Sequence, residues 1–142
     1  MKTSRYNKER HEFGTIHEIR LKPLIEQIIG EPMTKTKHFY DVMDYESPSY
    51  FIELKSRSQK YHPDNFATWL IPSCKEEEAK KNKHKKTIFF YYWLSVDELY
   101  RLDYEKTLFE SYHREIPWFH KEQQEHIYCA KENFQLVNSP FR

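Results

Sequence analysis

Between Thr15 and Ile29 the apolar residues Ile16, Ile19, Leu21, Leu24, Ile25, Ile28 and Ile29 recur at intervals of three and four. That period gathers them on one side of a helix. Gly30 and then Pro32 follow. Glycine takes the left-handed position at a helix end readily and proline cannot continue a helix, so the helix should stop at Ile29. Pro23 lies inside the pattern; it has no amide hydrogen, and should kink the helix or mark a nearby start of its regular part.

Farther along, the pattern changes. His38 to Met43 and Tyr50 to Lys55 are aromatic and β-branched segments with Glu46-Ser47-Pro48-Ser49 between them, the profile of a β-hairpin. A third apolar run, Thr87 to Ser95, is separated from Glu98 to Tyr104 by Val96-Asp97, which predicts a second hairpin. His126 to Val137 reads as a last strand. Between the hairpins Pro72 can open a helix running through Lys75 to Lys80, and Lys81 to Lys86 reads as a solvated basic loop. Helix, hairpin, helix, hairpin and strand make an α/β domain on a mixed sheet. With 142 residues and neither repeat nor linker, the expectation is a single domain over 1–142, its core at about 15–137 and residues 1–14 flexible.

Composition changes this picture little. Hydrophobic residues are 38% of the chain but aromatic ones 17%, enough large rings to fill an interior, so the chain should fold. Lysine and arginine number 23 against 22 acids, so attraction to phosphate must come from local clustering. One such cluster, Lys75 to Lys86, carries six lysines and a histidine against three glutamates and is a candidate for contact with a phosphate backbone. Cys74 and Cys129 lack the spacing of a disulfide framework or zinc site and read as reduced thiols. No apolar run nears the roughly 18 residues of a membrane span, and Met1 to Arg10 lacks a signal-peptide core. An intracellular, soluble protein, cytoplasmic or nuclear, with no membrane partner is expected. The composition, rich in lysine, tyrosine and phenylalanine with 2 glycines, would suit an AT-rich genome, viral genomes included.

The candidate chemistry lies in the first hairpin. If it turns about Ser47, positions equidistant from that residue pair, and Asp41 lies opposite Glu53 with side chains roughly 5 Å apart. Glu53 and Lys55, two apart on one strand, share a face. Two adjacent carboxylates repel unless a proton or cation intervenes. A magnesium-type ion, which seeks hard oxygen ligands, is the natural relief. Asp44 competes for the place of the strand acid but needs a tighter turn; Asp41 is favoured because it keeps phase with Glu53 across a five-residue loop. On the helix, Glu18 shares a face with Leu21 and Ile25, where either metal ligation or the helix dipole would account for an acid.

Tyr40-Asp41 on one strand and Phe51-Ile52-Glu53-Leu54-Lys55 on the next resemble the restriction-endonuclease-like, PD-(D/E)XK superfamily of nucleases, which commonly sets a glutamate-bearing helix before this hairpin. The similarity in element order covers most of residues 15 to 105; a departure is that no proline precedes Asp41. The resemblance implies a restriction-endonuclease-like mixed β-sheet flanked by helices. It implies Mg²⁺ or Mn²⁺ bound by Asp41, Glu53 and the Leu54 carbonyl with Glu18 as a further ligand, and Lys55 as catalytic lysine. Arg57 and the helix of Lys75 would touch substrate phosphate. The expected activity is metal-dependent phosphodiester hydrolysis, with DNA as substrate and RNA an open alternative, and a homodimer would suit double-strand cleavage.

Two other readings compete. A nuclease-like fold can lose catalysis and keep a binding or structural role. His62-Pro63-Asp64 resembles the signature of J-domain co-chaperones, where it ends one helix of a helical hairpin. Against this, Lys55 to Lys60 offers no apolar residue to a preceding helix, and the later run TIFFYYWLS is strand-like.

Overall fold

Gly30 ends the first helix as expected: its φ is +76° and its amide donates to the Glu26 carbonyl at 2.9 Å. The computed structural model describes residues 2–36, 43–118 and 123–137. In it, helix α1 spans Lys2–Ile29. It thus starts well before Thr15, and the segment expected to be flexible is helical from Lys2. Pro23 lies within α1 without ending it. The apolar stripe is only partly used: Leu21 and Ile25 are buried, whereas Ile16 and Ile19 are 61% and 67% exposed.

After α1 come β1 (Thr34–Lys35), β2 (Tyr45–Glu46), β3 (Tyr50–Arg57), β4 (Thr68–Pro72), α2 (Ser73–Lys81), β5 (Lys86–Trp93) and β6 (Glu98–Asp103). The chain continues through α3 (Lys106–Glu110), β7 (His113–Glu115), β8 (His126–Ala130) and β9 (Gln135–Leu136). One sheet has the order β1-β2-β3-β5-β6-β9 and a second the order β4-β8-β7. In the first, β3 and β5 are parallel and the other neighbours antiparallel. Parallel neighbours need a crossover, here the segment that holds β4 and α2. Over the described residues the result is an α/β domain with a mixed sheet and three α-helices.

The core is split between the two faces of the larger sheet. On one, Leu21 and Ile25 of α1 meet Ile52, Leu54, Ile88, Phe90, Tyr92 and Leu99. On the other, Phe89, Tyr91 and Trp93 pack with Trp69, Ile71 and Ile127 of the second sheet and with Ala79 of α2. Being covered on both sides, β5 is buried at every position from Thr87 to Trp93, which explains its unbroken apolar sequence. The Trp69 ring lies within about 5 Å of Phe134, Tyr100 and Trp93, the centroid distances being 4.6, 4.9 and 5.0 Å.

The second predicted hairpin forms as β5–β6, with Asp97 left-handed in its turn (φ 52°). The single last strand does not. A 3₁₀ turn at Lys131–Asn133 divides it, so that β8 joins the second sheet and β9 pairs with β6 in the first. Among the described residues no helix is long and apolar enough to cross a membrane.

Candidate metal and nucleic-acid site

The first hairpin closes more tightly than the sequence suggests. The Ser47 amide donates to the Tyr50 carbonyl at 2.8 Å, leaving Pro48 and Ser49 as the turn. Glu31, just beyond α1, holds this turn by accepting from the Ser47 hydroxyl at 2.7 Å and the Ser49 amide at 2.9 Å. Pairing then runs Glu46 with Phe51 and Tyr45 with Ile52. One step farther, Asp44 falls level with Glu53. The five-residue loop that would set Asp41 opposite Glu53 is therefore not the one that forms, and Asp41 itself lies outside the described residues. Any odd change of register turns the side chains of a strand to the other face, and this three-residue shift also brings a different acid into phase with Glu53.

Asp44 also ends the ladder. With hydrogen-bonded pairs alternating along antiparallel strands, Leu54 carries the next donor of β3, and its amide donates to Asp44 Oδ2 at 2.9 Å. The Met43 carbonyl is turned aside and accepts from the Thr36 hydroxyl at 2.7 Å.

Asp44 lies close enough for its charge to act on both Glu53 and Glu18, so that three carboxyl groups from α1, the hairpin approach and β3 are neighbours. Glu53 Oε1 lies 3.0 Å from Lys75 Nζ, while Oε2 is buried and finds no hydrogen-bond partner among the described residues. Burial, and then the Asp44 charge, push the Glu53 carboxyl up to about 8, the nearby Lys75 only partly opposing them. Glu18 is likewise raised, by burial and then by Asp44, against the pull of Lys35, whose ammonium is 2.5 Å from its carboxylate. Both outer acids thus sit where burial and the Asp44 charge disfavour a negative charge, each opposed by one lysine.

The remaining predicted residues divide. Lys55 is exposed and, two residues from Glu53, projects from the same face of β3. The Leu54 side chain is buried on the opposite face, in the α1 core. Arg57 ends β3 with its guanidinium 4.5 Å from the Tyr61 ring centroid. Lys75, expected to meet substrate, instead points from the first turn of α2 into the acid cluster. Lys35 had no signal in the sequence, since its role arises from a contact with Glu18 17 positions away.

The basic run after Lys75 is only partly a solvated face. Glu76 is 1% exposed and receives both ends of the Arg114 guanidinium, one at 2.7 Å. Lys85 pairs with Glu46 at 3.1 Å, whereas Lys81, Lys83 and Lys86 are exposed. The His62-Pro63-Asp64 segment forms a 3₁₀ turn over Pro63–Asn65 between two strands, β3 and β4. The helical hairpin needed by a J-domain is absent there.

Among the described residues, no group of three or more His, Cys, Asp or Glu side chains is already disposed as a metal-binding cluster. The donors nevertheless suit a hard divalent cation: they are carboxylate oxygens, one of them buried and without a hydrogen-bond partner among the described residues. Lys35 and Lys75 supply the counter-charge to Glu18 and Glu53.

The chain matches no known protein-family model and no curated protein sequence.

Proposed function

We propose that the protein is a Mg²⁺- or Mn²⁺-dependent nuclease of the restriction-endonuclease-like class, acting on DNA, with Asp44 in place of Asp41 as the strand acid. The observation that carries this reading is the register that sets Asp44 level with Glu53, with Glu18 near enough for the Asp44 charge to act on it and Lys55 exposed two residues along β3. The β3–α2–β5 crossover with α1 on the opposite face of the sheet also agrees with the fold expected for that class.

In this proposal Asp44 and Glu53 hold the ion, with the Leu54 carbonyl and Glu18 completing the protein's share. A bound divalent ion supplies an acidified water and counter-charge for the phosphate. Lys55, one strand repeat from Glu53, orients the attacking water or accepts its proton. Lys75 and Lys35 hold the acids together until a cation replaces them.

The second reading, a catalytically inactive nuclease-like fold, draws support from those same two lysines, which already neutralise Glu53 and Glu18. Cleavage decides between the two. Supercoiled plasmid and labelled single-stranded DNA are incubated with the protein and Mg²⁺, Mn²⁺ or EDTA, beside Glu53→Ala and Lys55→Ala. Metal-dependent cutting lost in both variants supports the enzyme; no cutting of DNA or RNA with either metal supports the inactive fold.

A further inference from the structure

The β2–β3 turn is one that its own sequence does not favour. A two-residue hairpin loop fits the twist of its strands when its first residue has a positive φ. The ring of Pro48 forbids that, and neither Pro48 nor Ser49 takes a positive φ. Side chains close the turn instead. The Tyr50 amide donates to Ser47 Oγ at 3.1 Å, and that hydroxyl donates in turn to Glu31 Oε2 at 2.7 Å. Glu31 also accepts from the Ser49 amide at 2.9 Å and, through its other oxygen, from the Ser49 hydroxyl. Three donors of one turn therefore converge on a single carboxylate, which the Ser49 and Ser47 hydroxyls hold below the ordinary range of a glutamate.

Neighbouring elements keep this clamp in place. Gly30, left-handed at φ +76°, turns the chain out of α1 just before Glu31. From the other side the Lys86 amide, at the start of β5, donates to the Ser49 carbonyl at 3.1 Å. Lys85 braces the first register pair beyond the turn, Glu46 with Phe51: its ammonium lies 3.1 Å from the Glu46 carboxylate and 4.9 Å from the Phe51 ring centroid.

Burial of apolar side chains does not by itself choose this register. The observed pairing sets Tyr45 opposite Ile52. The five-residue loop centred on Ser47 would set Val42 there, and either residue gives Ile52 an apolar neighbour. What differs between the two registers is the acid level with Glu53, Asp44 in the one and Asp41 in the other.

We propose that Glu31 is a positioning residue: by holding the Pro48-Ser49 turn it selects the register that sets Asp44, and not Asp41, level with Glu53. That Asp44 thereby becomes a metal ligand rests on the nuclease reading; the choice of register does not. The native protein, Glu31→Ala and Glu31→Gln are compared by cross-strand nuclear Overhauser effects in EDTA, and by Mn²⁺ affinity with Asp41→Asn or Asp44→Asn added to each. The native protein should show Tyr45 beside Ile52. Glu31→Gln should do the same, because its amide oxygen still accepts from the Ser47 hydroxyl and the Ser49 amide. Glu31→Ala is expected to show Val42 beside Ile52. In the native background Asp44→Asn should weaken Mn²⁺ binding about tenfold. In Glu31→Ala that loss should pass to Asp41→Asn, an exchange that general loosening of the fold would not produce. A Glu31→Ala protein that keeps Tyr45 beside Ile52 overturns the proposal. Loss of both pairings also overturns it, since Glu31 would then hold the hairpin without choosing its register. If Glu31→Ala does not fold, Ser47→Ala with Ser49→Ala, which leaves Glu31 only the Ser49 amide, takes its place with the same expectations. A register that moves in a protein whose native form binds no Mn²⁺ removes the nuclease reading and keeps the role of Glu31. Mn²⁺ binding that depends on Asp44 with and without Glu31 does the reverse.

Discussion

The Lys75 ammonium lies 3.0 Å from Glu53 Oε1, and the other oxygen of the same carboxylate is buried with no hydrogen-bond partner among the described residues. The lysine satisfies one oxygen of an acid that burial and the Asp44 charge together hold against ionisation. Glu53 is therefore set up to take either a proton or a cation.

The proton alternative gives a pH dependence with a definite sign. Glu53 titrates at about 8 in the fold, against an ordinary value of 4.5. Between those limits the folded chain holds more protons than the unfolded one, so this group's contribution falls as pH rises through the window. In EDTA at pH 8.5, Glu53→Gln should be more stable than the native protein by about 4–5 kcal/mol, an advantage that disappears at pH 4. Urea denaturation at the two pH values measures it; an equal difference at both would mean that Glu53 does not titrate in this range.

Lys75→Met removes the counter-charge and leaves the acid chain less compensated. In EDTA at neutral pH it should cost about 1–3 kcal/mol of stability. Saturating Mn²⁺ should restore most of that loss, because the ion takes over the ammonium's electrostatic role. Thermal denaturation with and without Mn²⁺ tests this, and a loss unaffected by the metal would assign Lys75 a purely structural role.

Arg114 offers a contrast, since its guanidinium grips Glu76 away from the candidate site. With Glu76 almost fully buried, Arg114→Met should destabilise the protein by about 3 kcal/mol, the scale for stranding one member of a buried pair. DNA binding at a temperature where the variant is folded should be unchanged. A binding loss without a stability loss would contradict the assignment of this pair to the scaffold.

How much of this was legible in the sequence depended on the range of the interactions involved. The end of α1 at Gly30 and the β5–β6 hairpin are set by neighbours along the chain and were readable from it. Strand alternation likewise put Glu53 and Lys55 on one face. The turn at Pro48-Ser49 was not readable, because Glu31 fixes it from 18 positions away. The Glu31 contacts accompany the register in which Asp44 falls level with Glu53. Similarly, β4 is a short run ending in proline whose reason to extend is its pairing with β8, and His126 to Val137 keeps a strand-like pattern across a break that only the two separate sheets explain. The roles of Lys35 and Lys75 depend on contacts between distant elements, which composition and spacing do not encode.

The most direct test of the acid cluster is Mn²⁺ binding at pH 7.5, followed by the electron paramagnetic resonance signal of the free ion, for the native protein, Asp44→Asn and Asp41→Asn. Since even outer-shell changes at metal sites cost about 10–100-fold in affinity, loss of a ligand should cost at least as much. The account predicts that the native protein and Asp41→Asn bind Mn²⁺ alike and that Asp44→Asn binds it at least about tenfold more weakly. Absence of Mn²⁺ binding by the native protein, or loss of binding in Asp41→Asn with Asp44→Asn unaffected, would contradict it.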